Sequence, residues 1–230
     1  MSTTLVACSH GTNSSAGRLA VTTLVEGVAA LLPDVRVREA FVDVQDPHVA
    51  EVVDAALASG TAVVVPLLLS TGYHTKVDIA RAVGAHPGRA AATRGLGPHP
   101  LLTDILCDRL RDVGLVQTDA VVLAAAGSSD PEAAVDTRAT AADLARRLDR
   151  PVTVGFAAGA GPDIGTAVSE ARSRGASRVV VASYVLAPGY FADLIARSGA
   201  DVATMPLAPD SRLAEIVAQR FRDSPGRHHL

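Results

Sequence analysis

The strongest constraint on this chain is that it is written twice. Residues 96–112 (LGPHPLLTDILCDRLRD) align without a gap with residues 207–223 (LAPDSRLAEIVAQRFRD). Residues 41–60 (FVDVQDPHVAEVVDAALASG) align in the same way with residues 156–175 (FAAGAGPDIGTAVSEARSRG). The openings correspond as well, LVACSHGT near the start and VVLAAAGSS in the middle. A period this long marks two tandem domains rather than a solenoid of short repeats. The chain of 230 residues has room for two lobes of roughly 100 residues, each able to bury a core.

Within the first copy, apolar runs alternate with segments of helical period. Residues 4–8 and 62–69 read as buried strands, 35–42 as a strand in which Val35 and Val37 alternate with Arg36 and Arg38, and 90–94 as a weaker strand. Val21, Leu24, Val25, Val28, Leu31 and Leu32 share one helix face, and Val49, Val52, Val53, Ala56 and Leu57 share another. Asp46 and Pro47 read as a cap and first-turn pair for that second helix, and Gly60 as its end. Pro66, inside an apolar run, implies a bulge or a break in the ladder. Residues 72–83 read as a turn into a helix, and Leu101, Leu102, Ile105, Leu106 and Leu110 mark the last helix of the copy. The order β-α-β-α-β-α-β-α then repeats from about Asp119. The expectation is an α/β fold: two tandem lobes, each a parallel sheet flanked by helices, facing across a cleft. The lobes are expected at residues 1–116, carrying the site, and 117–230, a degenerate copy, with 114–118 as linker and 224–230 as an unstructured tail.

Ligands of open parallel sheets bind beyond the carboxyl ends of the strands. In the first copy three reactive side chains fall there: His10 after the first strand, Asp43 after the second, His74 after the third. The second copy has Ala126, Ala158 and Phe191 at these positions. Joint loss is what one shared site predicts. Two imidazoles and a carboxylate suit a borderline divalent metal such as Fe²⁺, Co²⁺, Ni²⁺ or Zn²⁺. The other histidines read differently. His48, matched by Asp163 in a helix's first turn, reads as a surface residue; His99, matched by Asp210 at a helix start, reads as a capping or surface residue; and His86 reads as a solvated loop residue.

Several function classes are excluded or disfavoured by composition. A net charge of −3 with no basic run gives no pull on nucleic acid or an anionic membrane. The longest apolar run is far too short to span a bilayer, and the start lacks a signal-peptide pattern, so a cytoplasmic location is expected. Cys8 and Cys107 lie far apart, with no CxxC pair for a structural zinc or iron–sulfur site.

The segments LVACSHGTN, FVDVQDPHV, VVVPLLLSTGYHTKVDI and LGPHPLL, in this order and spacing, resemble the class II tetrapyrrole chelatases. That family includes sirohydrochlorin ferrochelatases and CbiX-type cobaltochelatases. The resemblance covers nearly the whole chain, the second half more weakly. It implies that His10 and His74 hold the metal and share proton acceptance, and that the macrocycle binds between lobes. Asp43 stands where the family often has Glu in an F-x-E-x-x-x-P stretch, matched here by Phe41, Asp43 and Pro47. A water-bridged contact is therefore the alternative to direct ligation. The implied reaction is insertion of Fe²⁺ into sirohydrochlorin, a lyase step, with Co²⁺ or Ni²⁺ as alternative substrates on a cobalamin-type route. No permanently bound cofactor is implied. The macrocycle's eight carboxylates would need donors. Candidates are the backbone of Gly11, Thr12 and Asn13 at a helix start, the Thr12 and Ser14 hydroxyls, and Lys76, the sole lysine. The alternative for Lys76 is a solvated charge on a helix face. A fused pair with one surviving site is expected to act as a monomer. Two other readings stay open: a non-catalytic metal or tetrapyrrole carrier, and, remotely, a histidine phosphatase, since His10-Gly11-Thr12 echoes an R-H-G motif but follows Ser9 rather than Arg.

Overall fold

The computed structural model describes residues 2–72, 75–159 and 161–224. Each repeat builds a four-stranded, all-parallel sheet. In the first, β1 (Ser2–Ser9) pairs with β2 (Arg36–Phe41) on one side and β3 (Gly60–Pro66) on the other, and β3 carries β4 (Ala90–Ala92) at the edge. The second sheet repeats this order with β5 (Ala120–Ala125), β6 (Val152–Phe156), β7 (Val179–Tyr184) and β8 (Val202–Ala203). β1 is buried from Thr4 to Ser9. A parallel strand covered on both faces must be apolar throughout, which is why β1, β3, β5 and β7 read as runs, while β2, with Arg36, Arg38 and Glu39, alternates along its first four residues.

Helices cover the sheets. α1 (Ser15–Leu31) starts at Ser14, whose hydroxyl accepts from Gly17 N–H at 3.2 Å, and buries Ala20, Val21, Leu24 and Val28. α2 (Val49–Leu57) packs on the opposite face, where Val6, Cys8, Val64, Val52 and Val53 share one core cluster. A π-helical turn (Thr75–Ile79) runs into α3 (Ala80–Gly84). α4 (Pro100–Asp112) closes the first repeat. The second repeat follows with α5 (Pro131–Leu148), α6 (Ile164–Ser173), α7 (Tyr190–Ala196) and α8 (Ser211–Arg222).

The compact units do not coincide with the repeats. One unit comprises residues 1–96 and 209–230, the other residues 97–208. The last helix of each repeat is exchanged. α8 packs against α1 and β3, with Ala214 Cβ close under Gly27. Arg220 ties it down, donating from Nε to Gly95 O (3.1 Å) and from Nη2 to Leu96 O (3.2 Å). α4 packs against α5 and β7, and Asp104 on it pairs with Arg147. The expected division at 116/117 follows the repeat; the packing divides the chain at 96/97 and 208/209. The expected linker at 114–118 therefore lies inside the second unit. There the 2%-exposed Asp119 carboxylate accepts from Val116 N–H and binds Arg178 at 2.7 Å.

Four local expectations are corrected. Pro66 causes no bulge. It is the last residue of β3, beyond the stretch paired with β4, so its missing N–H breaks no ladder bond. Asp46 is not the cap of α2; His48 is, its Nδ1 accepting from Ala50 N–H at 3.3 Å. Gly60 opens β3 rather than ending α2, which stops at Leu57. Ser224, expected in an unstructured tail, is buried and donates its hydroxyl to Phe221 O at 2.8 Å. Among the described residues no helix is long and apolar enough to cross a membrane.

Candidate metal centre

In the first sheet the chain leaves β1 toward β2 and returns to β3 on the other side of β1. The carboxyl ends of β1 and β3 therefore flank a topological switch point, where open α/β sheets bind ligands. His10 is the first residue past β1 and is half-buried. Asp43 follows β2 and is exposed. The backbone ties the two together: Val42 N–H donates to Ser9 O at 3.1 Å and Asp43 N–H to His10 O at 3.2 Å. His10 Nδ1 lies 3.4 Å from Gly11 O. In the tautomer that donates there, Nε2 carries the lone pair a metal ligand needs.

The two loops are laced at Gly11, whose φ is +90°. A Cβ at Gly11 would sit 2.4 Å from Asp43 O, so only glycine fits. Thr12 N–H donates to Gln45 Oε1 at 2.8 Å. Of the backbone donors expected to meet an anionic ligand, the one on Thr12 is thus engaged within the protein. Thr12 Oγ1 accepts from Ser14 N–H at 3.1 Å and Ser14 Oγ caps α1, uses that leave each hydroxyl hydrogen to donate elsewhere. Asn13 is exposed. Gln45 is a residue that sequence reasoning missed. A loop glutamine has no spacing or composition signal, and its role comes only from reaching across to a neighbouring loop.

Val44 holds an unfavourable backbone beside Asp43. Its φ is 60°, the left-handed region that a β-branched residue rarely enters. Asp43 Oδ1 accepts from Val44 N–H at 2.8 Å. The matching residue of the second repeat is Gly159, with φ 85°. The degenerate copy has relieved a strain that the first copy keeps, and such strain concentrates at functional sites. Val44→Gly is expected to stabilise the protein by about 1 kcal/mol, measured by urea denaturation. A loss of stability would show that Val44 is not strained.

His74, the second expected ligand, lies outside the described residues. Among those described, no three His, Cys, Asp or Glu side chains gather closely enough to hold a metal. Lys76 is exposed on the π-helical turn that begins one residue after His74, and Lys76 N–H donates to Gly72 O at 3.1 Å. Cys8 is no candidate ligand. Burial first, and Asp78 second, push its thiol up to about 12, so it stays protonated. The remaining histidines among the described residues are occupied, His48 as the cap of α2. His99 caps α4, its Nδ1 accepting from Leu101 N–H at 3.2 Å, as Asp210 caps α8. His86, expected to be solvated, has Nε2 2.7 Å from Asp54 Oδ1.

The second rim keeps the geometry without the chemistry. Ala157 N–H donates to Ala125 O and Ala158 N–H to Ala126 O, both at 2.9 Å, repeating the contacts of Ser9, His10, Val42 and Asp43 with alanines. Gly127, like Gly11, has a positive φ (81°) and packs on the carbonyl of Ala158. Tyr190 and Phe191, which begin α7, stack edge to face with centroids 5.3 Å apart and are 69% and 37% exposed.

Comparison with known proteins finds the CbiX family model matching residues 4–113 and again 120–224. No curated protein sequence matches. Among solved structures, SirB from Bacillus subtilis with Fe³⁺ is 22% identical over 97% of this chain and 95% of its own, with a TM-score of 0.83. The sirohydrochlorin chelatase SirB of Bacillus subtilis subspecies spizizenii, in complex with cobalt, is also 22% identical over the same shares, with a TM-score of 0.80. CbiX, the terminal enzyme for siroheme biosynthesis in denitrifying bacteria, is 18% identical over 96% of this chain and 99% of its own, with a TM-score of 0.68. These likenesses establish the fold.

Proposed function

Since this chain belongs to the CbiX family, whose model matches both of its repeats, we propose that it inserts a divalent metal into sirohydrochlorin, with Fe²⁺ as the substrate that gives sirohaem. The observation that carries the reading is the divergence of two matching rims. One holds His10 and Asp43 in a backbone frame that the other reproduces with Ala126 and Ala158. Selection that spares the frame but not the side chains marks the first rim as the working one.

The reaction needs a metal that sheds water and a macrocycle that loses two pyrrole protons. A neutral imidazole can hold the ion and can also accept a proton. His10 and His74 share these tasks. Asp43 offsets the ion's charge or relays protons outward, its Oδ1 steadied by Val44 N–H. Gly11, Thr12, Asn13 and Ser14 at the start of α1, with Lys76, meet the substrate's carboxylates.

Co²⁺ is the second reading for the metal, favoured by the solved cobalt complex of a similar fold. Affinity alone ranks Fe²⁺ below Co²⁺ and Ni²⁺, so supply in the cell decides. The enzyme acts in the cytoplasm as a monomer, since both repeats lie in one chain. Anaerobic insertion assays with sirohydrochlorin and Fe²⁺, Co²⁺ or Ni²⁺ test the reading. The expected result is many turnovers per chain. A single turnover identifies a carrier, and no insertion with any of the three overturns the proposal. Calorimetric titration with Co²⁺, alongside light scattering, is expected to give one site per 23.5 kDa monomer. Two equivalent sites would mean that the second rim also binds metal.

A further inference from the structure

The two rims differ at a fourth position. Thr93 N–H donates to Val64 O (2.9 Å) and Leu96 N–H to Leu68 O (2.8 Å). In the second repeat Thr204 N–H donates to Val181 O (2.9 Å) and Leu207 N–H to Val185 O (3.1 Å). These matched bonds put Arg94 and Met205 at one position, just past the fourth strand of each sheet. Read across the first sheet, the strand ends carry Asp43, His10, the turn that leads to His74, and Arg94. Read across the second, they carry Ala158, Ala126, Phe191 and Met205. The apolar replacement that removes the candidate ligands also removes this cation.

Arg94 is not spent on the fold. It is exposed, and its guanidinium has no hydrogen bond or ion pair among the described residues. Close to it lies another cation, the half-buried Arg220, whose pKa is lowered by burial first and by Arg94's charge second. Arg220 is turned onto the carbonyls of Gly95 and Leu96. Like charges repel, a cost that Asp223 offsets in part at Arg220 and that an anion bound at Arg94 would offset further. Met205 is 61% exposed at the matching position, so the backbone there does not require arginine.

We propose that Arg94 determines substrate specificity by binding a peripheral carboxylate of the tetrapyrrole. This rests on the reading of the site as a sirohydrochlorin chelatase. β4 lies two strand spacings from β1, roughly 10 Å, a reach that joins a metal beside His10 to the edge of a macrocycle centred on it. The planar guanidinium fork matches a carboxylate with two parallel hydrogen bonds, which a lysine does not reproduce.

The test is steady-state kinetics of Arg94→Met and Arg94→Lys with sirohydrochlorin, together with calorimetric titration by Co²⁺ alone. Arg94→Met is expected to raise KM for sirohydrochlorin about tenfold, the effect of losing one charge-assisted contact. kcat should stay within about twofold of wild type and Co²⁺ affinity should not change. Arg94→Lys is expected to recover part of the KM loss. Should Arg94→Met prove unstable by thermal melting, Arg94→Gln replaces it. An unchanged KM in a variant, with wild type turning over, overturns the role of Arg94 and leaves the chelatase reading intact. A tenfold fall in Co²⁺ affinity would instead make Arg94 part of the metal site, which also overturns the proposal. Failure of wild type to insert any metal overturns both.

Discussion

His10→Ala is expected to lower kcat for metal insertion by about 100-fold or more, the usual loss when a proton-transferring side chain is removed. The melting temperature should move by no more than about 2 °C, because a half-exposed residue past a strand end carries little of the core. The second repeat supplies the internal control. Ala126 occupies the same backbone position, with Ala158 N–H donating to its carbonyl (2.9 Å) as Asp43 N–H does to that of His10 (3.2 Å), so alanine is compatible with this turn. His74→Ala is expected to behave alike. The decisive measurement is turnover with saturating Fe²⁺ and sirohydrochlorin, beside a thermal melt of the same preparation. Near-normal turnover would remove His10 from the reaction. Lost turnover with a collapsed melt would make it a structural residue.

Gly11→Ala is expected to cost about 2–4 kcal/mol of stability and to abolish activity in the protein that still folds. Two effects add. The φ of +90° is unfavourable for any residue with a Cβ, and that Cβ would meet Asp43 O at 2.4 Å. The loops can separate only by breaking the Asp43–His10 and Thr12–Gln45 hydrogen bonds that set the rim. Gly127→Ala is the matched comparison. Its Cβ would meet Ala158 O at 1.8 Å, so stability should fall by a similar amount. No metal-binding side chain stands on that rim, so the folded fraction should keep its metal affinity. Urea denaturation of both variants, with Co²⁺ titration of each, separates the two roles. Equal metal affinity in Gly11→Ala and wild type would show that the lacing does not position the site.

The alternation of strands and helices was legible because buried parallel strands are continuous apolar runs, and helices such as α1 carry one apolar stripe. The rim was legible because the duplication supplies its own reference, with Ala126 set against His10. Features set by contacts distant in sequence were not legible. Asp46 has the composition of a cap, yet the chain turns so that His48 takes that place. Pro66 interrupts an apolar run, yet it harms nothing because β4 is too short to need its N–H. Asp54 gave no sign of waiting for His86. Alignment of the repeats locates α4 and α8 along the chain but carries no information on which sheet each covers. Val44 and Gln45 belong to a loop whose strain and bonds exist only once Gly11 is packed against Asp43.

The exchange of α4 and α8 bears on synthesis. Residues 97–208 form one unbroken stretch and can close as soon as they leave the ribosome. The other unit starts first and finishes last. Its strands are made within the first 96 residues, but the helix that covers α1 and β3 arrives only with residues 209–224. For the whole time that the second unit is being translated, an apolar wall belonging to Leu213, Ile216, Val217 and Phe221 is missing from the first. The half that carries His10 is therefore the later of the two to mature on the ribosome, and a message truncated before α8 would release a closed unit of residues 97–208 joined to an open one.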